Sequence, residues 1–292
     1  MHHIQRSASL LPDNAGKVVP MSQFLEKEDY EEQRCLLNRN REGERIDTRR
    51  VLNALDAHLN RNDYAAAEQH LKFWITEAEH AGDLHGMLTI RNEQIGLYRK
   101  TGQKEACFQM IEEAEKLLST LKLEGTITYG TTMVNAATGL KAFHQADRAM
   151  PLYRKAQEVY EKTLAPDDER TGALYNNMAL ALMEQGLYAE AKEYFEKALA
   201  IMKKKEDGEL EEAITYLNLA DLVSAETGEE KGEEKIHAYL EKAEDLLNTP
   251  SLPWNGYYAL VCEKCAPVFG YYGFFLTETE LKERAKQIYE RN

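Results

Sequence analysis

The chain has 292 residues, 43% of them hydrophobic, with only 7 Pro and 17 Gly and a formal net charge of −14. That is enough apolar material for a continuous core and too few turn formers for a β architecture. Residues 1–50 carry nine basic and nine acidic side chains, so the acidic excess belongs to 51–292, and nucleic acid, which needs a basic field, is not an expected partner.

In chain order, residues 1–21 read as a disordered tail. The weak apolar stretch from Ile4 to Leu11 has no basic leader ahead of it, so it does not make a signal peptide. Met21 opens Ser22-Gln23-Phe24-Leu25-Glu26, a fresh helix start, which makes Met21 a candidate initiator beside Met1. Residues 22–45 are expected to form an N-terminal capping helix, centred on 22–39. Six helix pairs follow at 46–60/63–80, 84–101/104–120, 124–143/146–163, 169–185/188–205, 207–226/230–247 and 254–275/278–291. Pro166-Asp167-Asp168 and Asn248-Thr249-Pro250 punctuate the loops between pairs, where Pro stands outside helical interiors. No apolar run reaches the ~18 residues of a membrane span. Val268 to Leu276 comes nearest, and it is interrupted by Gly270 and Gly273. No membrane partner is therefore expected, and four scattered cysteines suit a reducing, cytoplasmic setting.

The pairs repeat. Tyr175 to Leu182, then Gly186-Leu187-Tyr188, then Ala191, Phe195 and Ala198 set a large residue, a small one four later, a glycine at the turn, and Ala-x3-Phe-x2-Ala on the second helix. Small residues let two antiparallel helices approach closely while large ones fill the flanking gaps. The small first-helix residue recurs at Ala137, Ala179 and Ala220, and the second-helix alanine at Ala114, Ala156, Ala198 and Ala243. This pattern resembles the tetratricopeptide repeat, with a period near 42 residues instead of the usual ~34. It is similar to the longer-period arrays of kinesin light chains and bacterial signal-sensing proteins. The resemblance covers residues 46–291 and implies an all-α, right-handed α-α superhelix, a solenoid whose aromatic last pair, 254–291, seals the end.

In such arrays the exposed face of each first helix lines a groove that holds a protein or peptide. Two residues before the small position stand Asn53, Asn135, Asn177 and Asn218, with Asn176 beside Asn177 and Glu93 interrupting the column. An amide both donates and accepts, as a peptide unit does. Packed helices lie roughly 8–10 Å apart and an extended chain rises about 3.3 Å per residue, so one amide per repeat matches every third residue of a bound strand. Bonding between neighbouring helices accounts for the same amides. Arg99 and Lys141 project onto this face in the N-terminal half, and Glu184 and Asp221 in the C-terminal half, which would orient a ligand with its acidic end towards Arg99. With Asn135, Arg99 and Lys141 echo in part the family's clamp for a terminal carboxylate.

Cys262-Glu263-Lys264-Cys265 puts two thiols on one helical face, yet no second pair of ligands follows, so packing is expected in place of zinc or redox chemistry. Trp74 occupies the slot of Ala114, Ala156 and Ala198, which leads us to expect the helix around Phe24 to Leu37 to stand over it. Trp254, Tyr257, Tyr258, Phe269, Tyr271, Tyr272, Phe274 and Phe275 form an aromatic cluster, read as a terminal cap or as a homodimer surface, with Pro267 bending its helix. There is no Gly-rich phosphate loop, HExxH or GxSxG. No enzyme activity and no cofactor are expected. The expected function is a binding scaffold for a neutral or basic protein or peptide. The alternative is a peptide-sensing regulator acting through an effector.

Overall fold

A computed structural model describes residues 45–291. The expected tail, the capping helix up to residue 44, the choice between Met1 and Met21, and Cys35 lie outside the described residues. Among the described residues there are twelve helices and no strand: α1 Thr48–Leu59, α2 Tyr64–Ala81, α3 Leu84–Lys100, α4 Lys104–Leu121, α5 Ile127–Ala142, α6 Ala146–Thr163, α7 Glu169–Glu184, α8 Tyr188–Met202, α9 Glu209–Thr227, α10 Glu229–Leu247, α11 Gly256–Tyr271 and α12 Phe275–Arg291.

The starts and stops follow from side-chain chemistry. Asp47, Asp63, Asp83, Thr126 and Asn255 each accept a hydrogen bond from the backbone N–H three residues on, which satisfies a donor that the helix itself leaves unpaired. Between α7 and α8 the chain reverses at Gly186, whose φ of +74° favours glycine. The last pair turns earlier than the sequence suggests. Gly273 adopts φ +85°, so α11 ends at Tyr271, and Phe275, expected in the first helix, begins the second. α11 passes through Pro267 and continues to Tyr271.

The described residues form two compact units that divide within α6, one comprising 45–159 and the other 160–291. In the first, Leu55, Ala67, Leu71, Ile75, Ala78, Ile90 and Leu97 form a continuous core across α1, α2 and α3. Gly139 on α5 makes a close approach possible. A Cβ there would lie 3.0 Å from Sγ of Cys107, 3.2 Å from Cδ1 of Ile111 and 3.2 Å from Cγ2 of Ile95. In the second unit, Ala179, Ala181, Ala191, Phe195 and Ala198 are all fully buried. The residues that carry the repeat pattern are thus the ones that bring α7 and α8 together. The aromatic cluster divides: Tyr258 and Phe269 are core, while Trp254, Tyr271 and Phe275 are exposed.

Candidate functional site

The candidate site is the face that the first helix of each pair turns away from the second. In the unit 160–291, α7 sets Arg170, Ala173, Asn177, Leu180 and Glu184 along one stripe at helical spacing, all at least partly exposed. The matching stripe of α9 is Glu211, Ile214, Asn218 and Asp221, and that of α11 is Tyr257, Leu260, Lys264 and Pro267. Side by side they make rows: Ala173, Ile214 and Leu260 are apolar and partly exposed, as are Leu180 and Pro267 further along.

Polar pairs flank these rows. The Tyr257 hydroxyl donates to Oε1 of Glu211 at 2.8 Å, and the Tyr272 hydroxyl donates to Oδ1 of Asp221 at 2.8 Å. Burial pushes the Asp221 carboxyl up to about 7, against the opposing effect of the Tyr272 hydroxyl. Burial, then the charge of Glu211, hold the Tyr257 phenol well above its ordinary value. At the N-terminus of α7, Asp168 holds Arg170 at 2.8 Å, and Lys205 pairs with Glu169.

The asparagines fall into two groups. Asn218 is fully buried, and its Nδ2 donates to Oδ1 of Asn176 at 3.0 Å, an oxygen that also receives the Thr215 hydroxyl at 3.4 Å. In the other unit, Nδ2 of Asn135 donates to Oδ1 of Asn92 at 3.0 Å, while Nδ2 of Asn92 donates to Thr132 at 3.1 Å and to the Leu88 carbonyl at 2.9 Å. These amides bond one repeat to the next. Asn177 is partly exposed and Asn53 exposed, and neither is engaged in a side-chain hydrogen bond with a described residue. Arg99 and Lys141 are half-buried and already engaged. Asn92 and Thr132, together with the Glu211–Tyr257 and Asp221–Tyr272 pairs, escaped the sequence reading. Asn92 was legible in principle, because it stands one residue before the column, as Asn176 does.

Cys107, Cys262 and Cys265 are buried free thiols. Burial raises Cys262 to about 11 and Cys107 to about 12, and raises Cys265 further still. Among the described residues no group of three or more His, Cys, Asp or Glu side chains is arranged to hold a metal ion, and no helix is long and apolar enough to cross a membrane.

Residues 128–204 and 170–248 match the family model described as tetratricopeptide repeat. Residues 128–248 carry tetratricopeptide repeats. No curated protein matches it in sequence. Among solved structures, BtubC (BKLC) from P. vanneervenii shares 19% identity over 87% of this chain and 96% of its own, with a TM-score of 0.59. NprR in complex with its cognate peptide NprX shares 14% identity over 99% of this chain and 81% of its own, with a TM-score of 0.51. Both likenesses, at under 20% identity, bear on the fold alone. Within the repeats, the amide bonds from Asn135 to Asn92 and from Asn218 to Asn176 occupy the same register, 42 or 43 residues apart.

Proposed function

We propose that the chain is a protein- or peptide-binding scaffold, and that the wall formed by α7, α9 and α11 holds an extended segment of its partner. One observation carries this reading: adjacent first helices present rows of partly exposed apolar side chains, Ala173–Ile214–Leu260 and Leu180–Pro267, flanked by the Glu211–Tyr257 and Asp221–Tyr272 pairs. Apolar rows with few fixed polar groups suit a peptide. Because bonds such as Asn218 to Asn176 already brace the wall, little ordering is required when the partner binds. The peptide bound by NprR, a protein of the same fold, supports the reading.

The column divides its labour in this proposal. Asn177 presents a free amide to the partner backbone, while Asn135, Asn176 and Asn218 keep consecutive helices in register. A net charge of −14 favours a partner that is neutral or basic overall. The reading assigns no reaction and no cofactor.

The test is a thermal-shift screen of the full chain against peptide pools of graded charge, because a ligand of the folded state raises the melting temperature. We expect neutral and basic pools to raise it and acidic ones to leave it unchanged. Affinity for the selected peptide should fall at least severalfold in Asn177→Ala and in Leu180→Ser. Equal affinity in both variants, or no pool that shifts the transition, would overturn the proposal.

A further inference from the structure

The first helix pair has an open side. On α4, Met110, Ala114 and Leu117 are buried, as expected of a second helix with a complete pair before it. The matching positions of α2 are His70, Trp74 and Glu77, forty residues earlier, and there His70 and Trp74 are only half-buried and Glu77 is exposed. Phe73 beside them is 57% exposed.

These side chains already form a surface. The rings of Phe73 and Trp74 meet edge to face with centroids 5.4 Å apart, His70 lies 6.3 Å from Trp74, and His58 of α1 lies 5.6 Å from His70. His70 is oriented by a 2.9 Å contact of its Nε2 with the Val51 carbonyl. Nδ1 of His58 is buried without a hydrogen-bond partner among the described residues, an arrangement that costs free energy unless something else supplies the partner. Large apolar groups and an unpaired buried nitrogen on one face call for a cover that brings both apolar and polar atoms.

We infer that this cover is the chain's own segment 22–39. It is tethered at the right place: Ile46 is held by its N–H to Asp83 at 3.2 Å, and α1 begins two residues later, so the preceding 44 residues join the fold at the open pair. If helical, eighteen residues span about 27 Å, the length of α2, which also has 18 residues. The segment carries Phe24, Leu25, Leu36 and Leu37 for the Phe73–Trp74 surface. It also carries Glu28, Asp29, Glu31 and Glu32, opposite in sign to the exposed Arg49 and Arg50 of α1 and chemically able to accept from His58. A self-supplied cover solves for the first repeat what a neighbouring repeat solves for the others.

The chain has two tryptophans, so Trp254→Phe in the full chain leaves Trp74 as the reporter. Its emission should be blue-shifted and weakly quenched by acrylamide, independent of protein concentration. Replacing Phe24, Leu25, Leu36 and Leu37 together with Ser should shift the emission to longer wavelength and raise quenching severalfold, with circular dichroism still showing folded repeats. Should the fourfold variant not fold, Leu36→Ser with Leu37→Ser gives the same readout in milder form. Quenching in the parent chain as strong as that of a free indole would overturn the inference. So would shielding that the serine variants leave unchanged, or shielding that disappears on dilution, which would identify a second copy as the cover.

Discussion

The side-chain amide of Asn218 donates to Oδ1 of Asn176 at 3.0 Å, linking α9 to α7 at a position with no solvent exposure. Without that amide the buried Asn176 oxygen keeps only the longer bond from the Thr215 hydroxyl at 3.4 Å, and an under-satisfied buried acceptor loses more than the net worth of one bond. Asn218→Ala should therefore destabilise the protein by about 1–3 kcal/mol, and Asn177→Ala, which removes no such bond, by at most ~0.5 kcal/mol. Chemical denaturation of both variants provides the comparison. In a double-mutant cycle, Asn218→Ala and Asn176→Ala should couple, because they remove the same interaction.

Gly139 supports a second prediction. With sulfur and two methyl groups 3.0–3.2 Å from where a Cβ would stand, the two methyl groups added beyond that Cβ in Gly139→Val have no room. Overpacking should cost ~1–3 kcal/mol. Thermal unfolding should show a lower midpoint, while reaction of Cys107 with a thiol reagent should become faster as the α4–α5 contact loosens.

The buried thiols predict silence. At pH 8, Cys107, Cys262 and Cys265 should resist alkylation in the native protein and react fully in denaturant, since only the thiolate attacks and burial holds all three in the thiol form. Site-resolved mass spectrometry after brief iodoacetamide treatment measures this. Rapid native labelling of Cys262 and Cys265 would reveal a reactive pair.

Asp221 predicts a pH dependence. Its carboxyl is raised from 3.8 to about 7 by burial, so between those values the folded chain keeps a proton that the unfolded chain gives up. Stability from this group is present at acid pH and falls as pH rises from about 4 through about 7. Asp221→Asn keeps an acceptor for the Tyr272 hydroxyl and cannot ionise. Its advantage over the parent should be near zero at pH 3, below the unfolded value of 3.8, and reach a few kcal/mol at pH 8, measured by denaturation across that range. A constant difference at both pH values would show that Asp221 does not titrate in this window.

Much of the helix layout was legible because its signals are local. Asp63 before Tyr64, Asp83 before Leu84 and Gly186 before Tyr188 act through the nearest backbone groups, and the alanines at 114, 156, 198 and 243 announce close packing by size alone. The Tyr271 end of α11 was harder to place, because an apolar run from Val268 to Leu276 continues across a turn that only the positive φ of Gly273 reveals. The asparagine column was legible as a column and ambiguous in its direction. The same spacing places Asn177 partly in solvent and Asn218 wholly inside.

Composition, periodicity and the recurring small residues thus determined, without coordinates, that this chain is a series of helix pairs with the tetratricopeptide pattern. Each of those features acts over a few residues, within the reach of a helical turn or a cap. Which amide bonds its neighbour and which meets solvent was decided only by tertiary structure, as were the pairings of Glu211 with Tyr257 and of Asp221 with Tyr272. Those outcomes depend on how side chains more than forty residues apart meet once the helices are packed, and a one-dimensional period carries no information about that meeting.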